Sequence, residues 1–574
     1  MSRQLPDPQK IALRSHLEGR LEGLRSDRYS WWTHWSQLAE MFLPRRYKWF
    51  VTPNQANRGT QMNQSIIDET GVIAARTLAS GMLTGMTPPT KAWFSLSLHS
   101  LEYIPYGPVK QWLAEVERRI LAVLAESNVY TTLATFYHEL AVFGTAALIV
   151  YEDSEQVIRC YGPCLGEYFL GVNGKLEVDS LYREYTYTIK QAVDEFGLDN
   201  VCASTADAFR QGGAQLTREI VICHAIEPNF ALWQDATTPL GNAVPAKFKY
   251  REIYWEQSDG LKGYLRCTGF NEKPFVAGRW DIVSNDAYGR SPGMDALPAT
   301  RQLQVEQKRK GEAIDKLVRP PMVASVSMKN EPNSILPGAV NYVADIQGSG
   351  FKPAYQIDLR LQEMMLDIKE VQERIKEVFF VDLFLMISQL DTVRTATEID
   401  ARKEEKLLML GPVIERFQNE VLDPLIERVF SIMDRRGLLP PLPPELQGQA
   451  VNVEYVSMLA EAQNAAKTAG TERFLSLIGN LAGVDQAILD VADFDELAAD
   501  YASNLNVTPR GIRSPDEIAQ LRAKREQQAQ QQQQLAAVQQ AASAGKDITQ
   551  GAQTLSQTPV GAGQSALNLI TGLH

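Results

Sequence analysis

Apolar residues return at helical spacing from the start of the chain, at Leu17, Leu21 and Leu24 and then at Trp31, Trp35, Leu38 and Phe42. This stripe predicts an amphipathic helix, or a pair of helices, over Ile11–Leu43, stopped by Pro44. A second helix is expected over Ile66–Met86. Its many small residues (Ala74, Ala75, Ala79, Gly81, Gly85) suit close approach to a neighbouring helix, and Pro88 and Pro89 end it. Helices over Pro108–Glu126 and Thr131–Phe143 follow, and at Thr145–Tyr151 the composition becomes β-favouring. From 156 to 284 the pattern is one of short strands, among them Tyr182–Thr188, Glu219–Ala225 and Phe248–Glu256, with turn signals such as Asn173-Gly174 between them. The first half of the chain is therefore an α+β body.

Beyond Pro298 the pattern changes to a long charged helix that reaches Val318 and meets Pro320 and Pro321. A Gly/Pro/Asn-rich, β-tending stretch runs to Tyr355, and a second long helix covers Ile357–Phe380. Helix, small β insert, helix is a hairpin with a decorated tip. The apolar stretch Phe379–Leu390 leads to Thr395 and to a long helix through Arg436, with bends expected at Pro412 and Pro424. A proline cluster spans 440–444, and further helices are expected over 452–502. The tail from Pro515 differs in kind: Gln527–Gln540 holds nine glutamines among Ala and Leu and suits a polar helix, and 545–574 reads as loosely ordered.

With 574 residues, 44% of them hydrophobic, the chain can bury more than one core. Asp plus Glu (69) exceeds Lys plus Arg (57), and the net charge of −12 argues against coating nucleic acid through the whole surface while leaving a local DNA-facing surface open. Cysteines 160, 164, 202, 223 and 267 lack the paired short spacings of a zinc module and read as reduced thiols. The opening MSRQLPDPQK is broken by prolines where a signal peptide needs an apolar run, so secretion is not expected. The longest apolar run, Leu140–Tyr151, is about half of the ~20 residues a membrane helix requires, so no membrane insertion is expected.

Three enzyme signatures were weighed. Gly289-Arg290-Ser291-Pro292-Gly293 matches the G-x-S-x-G elbow of serine hydrolases. That elbow needs the backbone N–H of the residue after serine as an oxyanion donor, and here that residue is proline. The string is better read as a turn into the next helix. His138-Glu139 begins like a zinc-protease helix, but the second histidine position holds Val142. No G-x-x-x-x-G-K-[ST] occurs, so any nucleotide-driven motor must be a partner. No catalytic, metal or cofactor site is expected.

Five blocks, in order, carry a resemblance. They are Trp35 with Leu38-Ala39-Glu40 and Leu43-Pro44-Arg45-Arg46; Ile67-Asp68-Glu69-Thr70-Gly71 with Leu78-Ala79-Ser80-Gly81-Met82 and Trp93-Phe94; Phe143-Gly144-Thr145-Ala146; Tyr288-Gly289-Arg290-Ser291-Pro292-Gly293 with Ala296-Leu297-Pro298; and Thr395-Ala396-Thr397-Glu398 through Leu410-Gly411-Pro412-Val413 to Glu454-Tyr455 and Leu459-Ala460. Together they resemble the podovirus-type head-to-tail connector family. The resemblance implies a mainly α, α+β portal-type fold: wing (1–290), first stem helix (291–318), clip (319–356), second stem helix (357–381), channel loop (382–394), long wing helix (395–437), crown region (438–514) and a Gln-rich helix with a flexible tail (515–574).

The same resemblance implies a cyclic oligomer, typically of twelve subunits, at one capsid vertex of a short-tailed phage. Double-stranded DNA passes through it without sequence-specific contact, driven by a terminase motor. Major capsid, scaffolding and tail adaptor proteins would be further partners, assembly would occur in the host cytoplasm, and the final location would be the virion. A tail adaptor or scaffold is the alternative. From Ala296 to Arg319 six basic residues face three acidic ones, a balance of +3, and from Ile357 to Phe380 four face six, a balance of −2. Lys308, Arg309 and Lys310 are therefore expected to meet Glu363, Asp367 and Glu370 of a neighbouring subunit, the alternative being a solvated hairpin with within-helix pairs such as Glu370 with Arg374. Lys316, Arg319 and Arg394 are the candidates for facing DNA, and Phe384, Leu385, Met386 and Ile387 for a constriction, the alternative for these four being burial between subunits. Arg45, Arg46 and Lys48 beside Trp49 and Phe50 read as packing with an intersubunit role, in preference to nucleic-acid stacking.

Overall fold

The computed structural model describes residues 8–47, 61–98, 108–229, 247–257, 263–319, 361–388, 410–443 and 451–455, with short pieces elsewhere. The chain divides into two units, one of Met1–Tyr103 with Gln111–Ile488 and one of Ile104–Lys110 with Leu489–His574. In the second unit residues 520–528 and 530–532 are helical, as the glutamine-rich composition suggests; most of 545–574 lies outside the described residues.

In the first unit the amino-terminal stripe forms one continuous helix, α1 (Pro8–Phe42). Its buried positions Leu13, Leu17 and Leu21 recur every four residues and lie on a five-stranded antiparallel sheet. That sheet has the order β4 (Tyr168–Val172), β5 (Val178–Thr188), β6 (Glu219–Pro228), β7 (Tyr250–Glu256), β8 (Arg266–Phe270). Side chains alternate between its faces, so Tyr182, Cys223, Ala225, Ile253 and Trp255 meet α1. Tyr185, Ile222 and Tyr254 meet the other layer, built from α5 (Ile189–Phe196) and α6 (Ala203–Gln211). Between the layers Arg28 of α1 stacks 3.7 Å from the Phe169 ring and donates to the Tyr168 carbonyl at 2.6 Å.

A second antiparallel sheet, in the order β3 (Val157–Tyr161), β2 (Thr145–Asp153), β9 (Phe275–Arg279), follows directly from α4 (Val129–Phe143). Gly144 makes the switch: it caps α4 in the left-handed conformation (φ 76°), which glycine adopts without a Cβ penalty. Helix 410–417 passes through a π turn, Gln418–Leu422, into α10 (Asp423–Arg435). The bend expected at Pro424 takes this form, because proline has no N–H to donate to the preceding turn. The wide turn aims Glu420 at Arg279 of β9, which donates from its backbone N at 3.0 Å and from Nη2 at 2.6 Å. Gly278 leaves the space that Val421 fills; a Cβ there would sit 2.6 Å from the valine.

Two expectations need correction. Val451–Tyr455, read as the start of a run of helices, is a strand, paired antiparallel with β1 (Phe94–Leu98). Trp93 stacks on Tyr455, and the Tyr455 hydroxyl donates to Asp423. The channel loop over 382–394 is helical at least to Ser388, as α9 (Val381–Ser388). Its Leu383 and Phe384 are buried, and the Phe384 ring lies against Gly81 of α2 (Thr70–Met86), where a Cβ could not fit. The small residues of α2 thus serve the close approach they predict, with α9 as a partner. The remainder of that loop, most of 438–514, most of the clip and residues 395–409 lie outside the described residues, apart from a two-residue pairing of Met322–Val323 with Lys352–Pro353.

Candidate functional site

The two long helices form an antiparallel hairpin whose root is built into the body and whose outer half is not. α7 (Pro292–Val318) begins where the serine-hydrolase string stands. Ser291 is its N-cap: Oγ accepts from the Met294 N–H at 3.1 Å and donates to the Val142 carbonyl at 2.6 Å, with the residue 3% exposed. Pro292 occupies the first turn, where its missing N–H costs nothing. The hydroxyl is a structural tie, and the turn-into-helix reading holds.

Around this cap the chain packs backbone on backbone. The Gly289 N–H donates to Thr145 Oγ1 at 2.8 Å and the Trp280 N–H to the Gly144 carbonyl at 2.9 Å. A Cβ on Gly144 would lie 2.5 Å from the Gly289 oxygen, and one on Gly293 would lie 2.7 Å from the Val142 oxygen. Tyr288, beside them, accepts the Leu170 N–H at 3.1 Å and meets Trp35 edge-on at 4.9 Å. Blocks widely separated in sequence therefore converge on one junction between α1, α4 and α7.

Asp68, just before α2, ties both long helices to the body. Its Oδ1 accepts from the Thr70 N–H at 2.9 Å and the Thr70 hydroxyl at 2.5 Å. Its Oδ2 accepts from Gln307 of α7 and from Gln372 of α8 (Leu361–Val378), each at 2.8 Å. Gln304 of α7 accepts the N–H groups of Ile67 and Asp68 at 2.7 and 2.9 Å and donates to the Asp68 carbonyl at 2.9 Å. Partial burial alone would raise the Asp68 pKa, but the donors from Thr70, Gln372 and Gln307 hold it below the usual carboxylate range. Asp68→Ala removes a charged acceptor shared by two helices and lowers local stability by about 2–3 kcal/mol. Hydrogen exchange should show the loss at α2, the inner half of α7 and α8, with β5–β7 unaffected.

Beyond that root the burial ends. No residue of α7 after Gln304 is buried, and the first buried residue of α8 is Ile368. Large apolar residues are exposed on both helices, Val318 at 70% and Leu366 at 67% among them. Lys308 and Arg309 are exposed and Lys310 is half-buried; Glu363, Asp367 and Glu370 are exposed. Lys376 pairs with Glu373 at 2.8 Å within α8, whereas Lys308, Arg309, Lys310, Asp367, Glu370 and Arg374 form no ion pair among the described residues. The within-helix Glu370–Arg374 pair is therefore not made.

Lys316 and Arg319 are exposed at the outer end of α7, and Arg394 lies outside the described residues. Of the constriction candidates, Phe384 is buried against Gly81 and Leu385 is 48% exposed. The side chains of Met386 and Ile387 lie outside the described residues. Phe50 is buried between Trp32 (4.9 Å) and Phe143 (5.7 Å), and Arg46 pairs with the buried Glu139, in keeping with a packing role; Lys48 and Trp49 are outside the described residues. Asp68, Gln304, Gln307 and Gln372 were not singled out as site residues from sequence. The spacing of Gln304 and Gln307, one turn apart on a charged helix, is the only signal of them, because amides carry neither the periodicity of a core nor the charge of a surface.

Comparison with known proteins identifies the family. The family model described as bacteriophage head to tail connecting protein matches residues 14–512. The probable portal protein of Bordetella phage BPP-1 is 40% identical over 536 residues, 93% of each chain. The portal protein of Salmonella phage epsilon15 is 38% identical over 541 residues, 94% of each. Among solved structures, a chain of the virion of a native gene transfer agent particle aligns over 72% of this chain and 84% of its own, at 11% identity and a TM-score of 0.30, too low to bear on the fold. The family match over residues 14–512 and near-full-length similarity to two portal proteins lead to one assignment: the chain belongs to the bacteriophage head-to-tail connecting family and is a phage portal protein.

Proposed function

We propose that twelve of these subunits close into a ring at one capsid vertex of a short-tailed phage, a conduit for double-stranded DNA during packaging and ejection. The observation that carries this reading is the outer half of the α7–α8 hairpin. Its exposed apolar residues and its exposed charges of opposite sign on the two helices are what a ring would cover and match. A heterologous contact sets α7 of one subunit against α8 of the next, and repetition with a closing rotation gives a ring. The net charge of −12 suits a channel that must not hold DNA, since every neutralised phosphate adds salt-dependent affinity that opposes sliding. Lys316, Arg319 and Arg394, repeated around the ring, would guide the duplex electrostatically without reading bases.

The role is structural and non-catalytic, and the buried, doubly bonded Ser291 hydroxyl is consistent with that. The terminase motor, the major capsid and scaffolding proteins and the tail adaptors would bind the assembled ring, after assembly in the host cytoplasm. Among the described residues no helix is long and apolar enough to cross a membrane.

Charge reversal tests the contact. Each exposed pair contributes only about 0–1 kcal/mol, so the pairing fixes register and its loss should weaken assembly without abolishing folding. The triple variant Lys308→Glu, Arg309→Glu, Lys310→Glu is expected to leave mainly monomer in light scattering. Adding Glu363→Lys, Asp367→Lys and Glu370→Lys should restore rings; unchanged assembly of the triple variant would rule the pairing out.

A further inference from the structure

The β2–β3 hairpin separates two surfaces. Along its paired register Tyr151 and Asp153 of β2 stand with Arg159 and Tyr161 of β3 on one face, and Glu152 stands with Ile158 on the other. On the first face lies an open cavity of about 560 Å³, walled by those residues together with Tyr185, Tyr187, Phe196, Tyr254 and Arg266. Its walls are prearranged. Arg183 lies 4.3 Å from the Tyr185 ring centroid and 4.6 Å from that of Tyr161; Arg266 lies 4.8 Å from that of Tyr254. The Tyr151 and Tyr254 hydroxyls are 3.2 Å apart. Its charges are of both signs: Arg266 is paired with Glu195 at 2.7 Å, Arg183 stands 3.6 Å from the buried Glu167, and the exposed Arg159 shares the face with Asp153. Between them stand tyrosine rings, the lining that receives extended proline-rich chain.

On the opposite face, Glu152 accepts from Arg436 at 3.1 Å and Glu272 accepts from Arg435 at 2.7 Å, fixing the end of α10. From there the chain runs into Leu438-Leu439-Pro440-Pro441-Leu442-Pro443. Prolines fix φ near the polyproline II value and push the residues before them towards the same region, so this segment is stiff and loses little entropy on binding. One side of it is anchored on α3 (Pro108–Glu126), where Trp112 Nε1 donates to the Pro440 carbonyl at 3.0 Å. Pro441 and Leu442 face outward, Leu442 at 51% exposure.

Cavity and proline segment lie on opposite faces of one hairpin and do not meet within a subunit. A second copy can bring them together, and a site on one face matched to a different site on the other is the heterologous geometry that a ring uses. We infer that the tyrosine-lined cavity of each subunit receives the Pro440–Pro443 segment of its neighbour. This rests on the ring reading above and adds to it a contact away from the long helices. Leu442 and the prolines enter between the rings, whose hydroxyls are held inside the subunit: Tyr254 donates to Glu252 at 2.7 Å and Tyr161 to Glu167 at 2.8 Å.

Cysteine cross-linking tests it in the full-length chain. In rings seen by electron microscopy, the double variant Tyr187→Cys, Leu442→Cys should give, after mild oxidation, a non-reducing ladder at multiples of the 64.1 kDa subunit. With Cys160, which also lines the cavity, replaced by Ser in every variant, each single variant should remain unlinked. Separately, Leu442→Asp and Tyr187→Ala should each raise the protein concentration needed for half-maximal assembly by roughly tenfold, the effect of removing an interface anchor. Rings that form at the wild-type concentration and give no ladder would overturn this contact and leave the conduit intact; absence of rings in the wild-type protein would overturn both.

Discussion

Replacing Glu227 by alanine is expected to destabilise the five-stranded sheet by about 3–5 kcal/mol, the cost of leaving a buried charge without its partner. Glu227 is fully buried on β6 and accepts from Arg251 Nε of β7 at 2.8 Å and from the Tyr182 hydroxyl of β5 at 2.5 Å. Arg20 of α1 approaches it at 3.4 Å. Arg251 is itself only 2% exposed, so truncating the carboxylate removes the charged partner of a buried guanidinium. Arg20→Ala, at the rim and 36% exposed, should cost no more than about 1 kcal/mol. Hydrogen exchange of the β5–β7 amides separates the two: loss of protection in Glu227→Ala and near-native protection in Arg20→Ala. A double variant, Glu227→Met with Arg251→Leu, should recover most of the loss, because buried ion pairs add little over well-packed apolar side chains.

Gly144→Ala should be nearly as damaging, by about 2–5 kcal/mol, from two sources that add. The left-handed conformation costs a non-glycine residue roughly 1–2 kcal/mol. The new methyl group would also press on the Gly289 carbonyl, which is main chain and cannot rotate away, an overpacking cost of about 1–3 kcal/mol. Gly19→Ala and Gly23→Ala provide the contrast: both lie in α1 with nothing near the new Cβ, and each should stabilise the helix by about 0.5–1 kcal/mol. Denaturant unfolding of the unassembled subunit reads all three. A neutral Gly144→Ala would mean that the junction is looser than its geometry requires.

Helix ends were legible where proline chemistry set them, as at Pro44 and after Met86, and so were the switch into strand at Thr145 and the bend before Pro424. What could not be read was which distant segments meet. Val451–Tyr455 is a strand because Phe94–Leu98 offers it an edge, and nothing local in either segment names the other. The segment 382–394 reads as a loop in sequence because its apolar run is given to a channel; Gly81, deep in α2, is what lets Phe384 bury and the helix continue to Ser388. Few residues of the five blocks behind the family resemblance carry a physical role that the sequence alone shows. In the fold several of them are junction residues: Gly144 against Gly289, Trp35 against Tyr288, Trp93 against Tyr455. The amide cluster around Asp68 was invisible because its partners are drawn from three helices and no periodicity marks them.

The most direct test of the conduit is electron microscopy of the purified, full-length chain with the mass counted by light scattering. Closed rings of about twelve 64.1 kDa subunits, with a central opening wide enough for duplex DNA, are the predicted result; a stable monomer, or an oligomer with no open channel, would contradict it.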